Sequence, residues 1–177
     1  MDPNIPRIKE FNTNYLSKIK KLNLHKGPPP AHIEFDMHGS CSRRCAFCPR
    51  VDEKKWPNLE ETFAVSLYLK IINELRDAWD YSGRISWSGY SEPTMHKDVF
   101  RLIKLTKEIL PKCTLDIVSN GDFLDKEVIQ KLYNCGLDHL RVSIYTNNKT
   151  TQKFIKIREE LKINPEVLFI RERNKGR

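Results

Sequence analysis

No stretch of this 177-residue chain approaches the roughly 18 consecutive apolar residues a membrane-spanning helix needs, and its start lacks the basic, apolar and small-residue order of a secretory signal. A soluble, cytoplasmic protein is therefore expected. Cysteine is too scarce and too unevenly placed for a disulfide framework. There are five, an odd number, and three fall between positions 41 and 48, which suits a reducing compartment. No internal repeat and no low-complexity tract interrupts the chain.

The chain is about one domain long, enough for one core that buries roughly 70% of its unfolded surface. Its net charge of +8 raises the question of nucleic acid, and the distribution answers it. Residues 1–30 carry six Lys/Arg and two Asp/Glu, residues 149–177 nine and four, and the middle sixteen and seventeen, or +4, +5 and −1. The basic excess is terminal, as solvated tails and helix faces would leave it, so a nucleic-acid partner is not expected.

Residues 1–30 are polar and Lys-rich, with one weak helical stretch around Tyr15–Leu22, and they close on Gly27-Pro28-Pro29-Pro30, an extended connector. The domain is expected over 31–177. There the pattern alternates: strands at Ala31–Met37, Arg84–Ser88, Thr114–Ser119, Asp138–Tyr145 and Glu166–Ile170, and helices at Glu60–Trp79, Lys97–Leu110, Asp125–Cys135 and Thr150–Leu161. Alternation of this kind means βαβ units and a parallel sheet, an α/β fold that is open or curved into a barrel. Such folds bind ligands at the carboxyl ends of their strands.

The chemistry is concentrated after the first strand, in His38-Gly-Ser-Cys41-Ser-Arg-Arg-Cys45-Ala-Phe47-Cys48. Iron–sulfur clusters are held by thiolates, and three of them on a four-iron cluster leave one iron without a protein ligand. The alternative is a structural zinc site with His38 as fourth ligand, but such sites pair their cysteines and no second C-x-x-C exists.

This C-x3-C-x2-C loop resembles the signature of the radical S-adenosylmethionine (SAM) enzymes. The resemblance implies that Cys41, Cys45 and Cys48 bind a 4Fe-4S cluster whose fourth iron is chelated by SAM. Reduction then yields methionine and a 5'-deoxyadenosyl radical that abstracts hydrogen from a substrate. Phe47 matches the aromatic that packs near the adenine.

Three later segments fit the same family in order. Ser88-Gly89-Tyr90-Ser91-Glu92-Pro93 is similar to the Gly-Gly-Glu-Pro segment that holds the SAM amino group, with Ser91 in place of the second glycine. Ser119-Asn120-Gly121 is similar to a Thr-Asn-Gly turn, which is also a common turn sequence in its own right. Ser143 fits a serine that contacts the SAM ribose, on one strand face with Arg141 and Tyr145. Arg158 and Arg171 are candidates to neutralise the SAM carboxylate.

Family barrels commonly have six βα units and five strands are counted here. A partial (β/α) barrel is therefore expected, incomplete at its C-terminus, with the fifth strand as an exposed edge. The Ser-Gly-x-x-Glu-Pro and Ser-Asn-Gly forms resemble the peptide-modifying branch, which suggests a peptide or protein substrate. An electron donor such as flavodoxin or ferredoxin is the implied partner. A glycyl-radical activating enzyme is the alternative within the family. Outside it stands a non-catalytic iron–sulfur or zinc module that binds RNA or protein. Cys113 and Cys135 are expected to be packed free thiols, because a second cluster would usually take four cysteines.

Overall fold

β-Branched and large apolar residues recur in five short runs, and each becomes a strand of one parallel sheet in the computed structural model, which describes residues 27–173. The strands are β1 (His32–Phe35), β2 (Arg84–Trp87), β3 (Thr114–Ser119), β4 (His139–Ile144) and β5 (Leu168–Glu172). Between them run α1 (Val65–Trp79), α2 (Val99–Ile109), α3 (Lys126–Asn134) and α4 (Asn148–Glu160). The weak helical stretch expected around Tyr15–Leu22 lies outside the described residues.

Strand order in space follows order in the chain, β1-β2-β3-β4-β5, and every neighbouring pair is parallel. Doubly wound sheets reverse direction at a switch point and so acquire helices on both faces. With no reversal, right-handed crossovers put all helices on one face. Consistently, α1 packs on α2 and α2 on α3.

The covered face is the core. Ile85, Trp87, Leu115, Ile117, Leu140 and Val142 are fully buried on it, packed against Tyr68 and Ile72 of α1, Leu102 and Ile103 of α2, and Ile129 and Leu132 of α3. Tyr68 is a polar pin within this layer: its hydroxyl bonds Thr106 Oγ1 at 2.8 Å and accepts Trp87 Nε1–H at 3.2 Å. Burial pushes its pKa well above the ordinary phenol value.

Side-chain caps start α3 and α4, whereas α1 and α2 have none. Asp125 accepts the Val128 N–H at 2.8 Å to start α3, and Gly136, at φ 102°, turns the chain after it. Asn147 accepts the Thr150 N–H at 3.2 Å to start α4.

Most boundaries shift by one or two residues from expectation, and two have a clear local cause. The first helix begins at Val65 rather than Glu60, because residues 59–63 run extended beside the cysteine loop: Gly39 N–H donates to Glu61 O at 2.7 Å, Leu59 N–H to Gly39 O at 3.1 Å, and His38 bridges Thr62. The fifth strand begins at Leu168 rather than Glu166, because a turn at Asn164 takes the Val167 and Leu168 amides at 2.9 and 3.0 Å.

Candidate active site

The loop after β1 is shaped by Arg50, a side chain to which the sequence analysis assigned no role. It is 3% exposed and donates to Gly39 O at 2.9 Å, Pro57 O at 3.2 Å, Asn58 Oδ1 at 3.0 Å and the carbonyl of Tyr90. A buried guanidinium is tolerated only when its donors are met, and here carbonyl oxygens from three segments meet them. Asn58 in turn clamps the Cys41 backbone, accepting its N–H at 3.2 Å and donating to its carbonyl at 3.1 Å. Cys48 begins a short 3-10 turn, Pro49–Val51, with proline at the first position, where no amide donor is needed.

The loops after β2 and β3 close on the cysteine loop. Gly89 has φ 113°, and a Cβ there would sit 3.0 Å from the Asp36 carboxylate, so the close approach needs glycine. Asp36 receives Tyr90 N–H at 3.2 Å and the Ser91 hydroxyl, holding the Gly89-Tyr90-Ser91 turn at the end of β1. Glu92 is 1% exposed. It caps the short helical turn Pro93–Met95 through Thr94 N–H at 3.2 Å and Thr94 Oγ1 at 2.6 Å, while its other oxygen accepts Asn120 N–H at 2.7 Å. Burial raises the Glu92 pKa, and the Asn120 and Thr94 hydrogen bonds pull it back.

Asn120 reaches into the cysteine loop, donating to Ser42 Oγ at 2.9 Å and to Cys41 Sγ at 3.5 Å. Two residues on, Asp122 grips Arg43 Nε at 2.9–3.0 Å together with its Nη2, and accepts the Ser42 hydroxyl at 2.8 Å. Arg43 holds the Asp122 carboxyl below the usual range. Just past β4, Tyr145 packs at a tilt on Phe47, 5.4 Å between ring centres, and lies under the Arg43 guanidinium. Thus three successive βα loops are bonded to one another, and the fourth strand packs on the first loop.

These loops surround a cavity of about 460 Å³. Cys41, Cys45 and Cys48 line it, all free thiols and all partly buried. So do Phe47, Gly89, Tyr90, Ser91 and Glu92, followed by Ser119, Asn120 and Ser143. These eleven residues singled out in the sequence therefore lie around one cavity. Arg171 also lines the cavity, whereas Arg158 does not: it lies at the Leu168 carbonyl, Nη1 to O 3.5 Å. Helical periodicity carries Arg158 to the helix layer, which corrects its candidacy. Cys113 is 2% exposed, and burial pushes its thiol up to about 11, while Cys135 closes α3. Neither lines the cavity.

The donor set fits a thiolate-bound cluster. Three reduced thiols face one cavity, and among the described residues no histidine lines it to complete a four-ligand set. Burial and then the neighbouring Cys41 raise the Cys45 pKa, a crowding of would-be thiolates that a bound cation relieves. Asn120 supplies a donor to the sulfur of Cys41, the kind of outer contact that orients a ligand. His38, the fourth zinc ligand considered, lines a different cavity, where its Nδ1 accepts Ser40 N–H at 3.0 Å. Among the described residues no group of three Cys, His, Asp or Glu is gathered for a single ion.

The family model of the radical SAM superfamily matches residues 37–162, a span that begins just before the cysteine loop and ends after α4. The chain belongs to the radical SAM superfamily. The cofactors of that family are a 4Fe-4S cluster and SAM, which the three thiols and the polar rim of this cavity fit.

Among curated proteins the chain is similar to the S-adenosyl-L-methionine-dependent 2-deoxy-scyllo-inosamine dehydrogenase of Niallia circulans, at 31% identity over 117 residues, 66% of this chain and 46% of the relative. It is also similar to the uncharacterized protein MJ0804 of Methanocaldococcus jannaschii, at 23% over 157 residues, 86% of this chain and 47% of the relative. The chain thus spans about half the length of these two relatives. In fold it resembles the crystal structure of BtrN in complex with AdoMet and 2-DOIA, with a TM-score of 0.71 over 84% of this chain and 59% of that one, at 24% identity. Among the described residues no helix is long and apolar enough to cross a membrane.

Proposed function

We propose that this radical SAM enzyme is an oxidoreductase that removes hydrogen from a small molecule bound beside SAM in the cavity of about 460 Å³. The observation that carries this reading is the convergence of three free thiols and the polar groups of three further strand ends on that cavity. Its size falls in the range of about 300–1,000 Å³ usual for small-molecule sites and suits SAM itself, while the similarity to a dehydrogenase of a small molecule favours a small substrate over the peptide or protein suggested by the Ser-Asn-Gly forms. The similarity to a SAM-dependent dehydrogenase supports dehydrogenation as the reaction class.

In this reading Cys41, Cys45 and Cys48 hold the cluster, and reductive cleavage of SAM supplies the hydrogen-abstracting radical. Asn120 and Asn58 fix Cys41, and Arg50 keeps the loop closed. Glu92 and the Gly89-Tyr90-Ser91 backbone face the SAM amino group. The Glu92 carboxylate, fixed by Thr94, Asn120 and Ser119, presents a negative charge that suits an ammonium partner. Ser143, 2% exposed on β4, faces the ribose, and the Phe47–Tyr145 pair offers an aromatic wall for adenine.

Anaerobic reconstitution followed by reduction with dithionite should convert SAM into methionine and 5'-deoxyadenosine. A protein that binds four irons per chain yet never cleaves SAM would remove the catalytic reading and leave a binding module. A glycyl radical raised on a partner protein would instead assign the activase alternative.

A further inference from the structure

Four arginines line the candidate cavity, Arg43, Arg141, Arg171 and Arg173, against a single carboxylate, Glu92, among the described lining residues. Little of this charge is matched. Arg43 has Asp122. Glu92 is buried, held by Thr94 and Asn120 and placed to face the SAM amino group, so its charge is not available to these arginines. Arg141 Nε stands 3.7 Å from Asp116 Oδ2, but that carboxylate already takes two bonds from Arg84, at 2.6 and 2.8 Å, and the Ser86 hydroxyl. One negative charge is therefore shared between two guanidiniums. Arg171 and Arg173 have no carboxylate within ion-pair distance among the described residues.

The cofactors do not supply the missing charge. Three thiolates leave an oxidised cluster with about one net negative charge, and SAM, with a sulfonium, an ammonium and a carboxylate, brings one net positive charge. Together they are neutral, and the arginine excess stands.

Its placement is ordered. Strand alternation puts Phe169 and Arg171 on the cavity face of β5, where Arg171 stands opposite Ser143 of β4, and Arg173, just past the strand and bonded to Ile144 O through its amide, lines the same cavity. Residues two apart on a strand lie about 7 Å from each other, so two guanidiniums can converge on one centre of double charge. Each offers a planar fork that fits phosphate or carboxylate oxygens in two bonds.

We propose that the substrate of this cavity carries a phosphate monoester, held by Arg171 and Arg173 with Arg141 beside them. This rests on the cavity being the SAM-dependent active site. Arg171 and Arg173 are solvent-exposed in the free protein, and two such neighbouring guanidinium forks best fit two negative charges on one centre, which a phosphate monoester carries and a single carboxylate does not.

The test is calorimetric titration of the full chain, before and after anaerobic reconstitution and SAM loading, with glycerol 3-phosphate, glycerol, succinate and glucosamine as probes. Glycerol 3-phosphate should bind about tenfold or more tightly than glycerol and glucosamine, the scale of one lost charge-assisted contact pair. Arg171→Gln with Arg173→Gln should abolish that preference, with iron content unchanged, and Lys at both positions should keep part of it. Lys104→Ala on α2, far from the cavity, should leave it intact. Equal affinity for glycerol 3-phosphate and glycerol in protein that binds iron and SAM would overturn the phosphate site alone. Tighter binding of succinate would overturn it in favour of a dicarboxylate. A preference that persists in protein unable to take up iron would support the anion site while overturning the cysteine assignment. Loss of SAM affinity in the double variant, without a phosphate preference in the parent, would overturn the proposal by giving these arginines to the SAM carboxylate.

Discussion

The two faces of the sheet are made from the same five strands and could hardly differ more. On the helix-covered face Ile85, Trp87, Leu115, Ile117, Leu140 and Val142 have no measurable exposure. On the other face the alternate residues of those strands include His32, Ser86, Asp116, Arg141, Ser143 and Arg171. There His32 Nε2 bonds Ser86 Oγ at 2.7 Å, Ser86 bonds Asp116, and Asp116 takes Arg84. The difference teaches where this fold keeps its stability and where its chemistry. Sequential parallel strands put every helix on one side, so the hydrophobic contribution is concentrated there and the opposite face is free to be polar.

The sharpest break of that comparison is at the cysteines. Cys41→Ala, Cys45→Ala or Cys48→Ala should each lower bound iron from about four per chain to near none, with the thermal transition of the iron-free protein almost unmoved. Cys113→Ala, on the covered side, should do the reverse, keeping iron and losing stability. Iron assay beside circular dichroism melts of the four variants decides it. Next come the covered residues themselves. Leu115→Ala or Ile117→Ala should cost about 2–5 kcal/mol in urea unfolding, against no more than about 1 kcal/mol for Arg141→Ala, whose ion pair is long and half exposed.

Glu92→Ala should weaken SAM binding by about 1.5–3 kcal/mol through the charged hydrogen bond, while iron content is preserved. Unchanged SAM affinity in folded, iron-loaded protein would remove Glu92 from the site. Ser143→Ala should weaken it by only about 0.5–1.5 kcal/mol.

The smallest effect is in acid. Asp122 has its folded-state pKa lowered by Arg43, so its contribution is fully present above the unfolded value of about 3.9 and is lost as pH falls through the folded value. Asp122→Asn should therefore flatten the fall in stability below about pH 4, read from urea midpoints. Glu92 has the opposite sign. Its raised pKa means stability declines as pH rises from about 4.3 to its folded value, and Glu92→Gln should remove that decline.

Much of this was legible in the chain. The period-two and helical patterns placed five strands and four helices because each strand has a mainly apolar side and each helix one apolar stripe. The cysteine spacing and the residues after β2, β3 and β4 marked the rim of the cavity. What the sequence hid is long-range polar pairing. Nothing local to Arg50 announces burial among three carbonyls and an asparagine, and Arg43 and Asp122 are 79 positions apart. Extended pairing of residues 59–63 with the cysteine loop was hidden for the same reason: it overrode a helical periodicity that continues back through Phe63. Asp36 could have been suspected, because a residue closing the first strand of a parallel α/β fold stands where ligands bind.

The Arg50 knot has a consequence for how the holoenzyme is built. Its bonds to Gly39, Pro57, Asn58 and Tyr90 use protein atoms alone, so the shape of the cysteine loop does not depend on the inorganic core it receives. Assembly becomes the docking of iron and sulfide onto a shaped rim rather than a disorder-to-order transition. Amide protons of Gly39, Cys48 and Val51, each bonded within the loop at 2.7–3.0 Å, should then exchange slowly before iron is added and little more slowly afterwards. Chelating the metal should leave a native sheet that is ready to be refilled, unlike small zinc domains, which unfold when stripped.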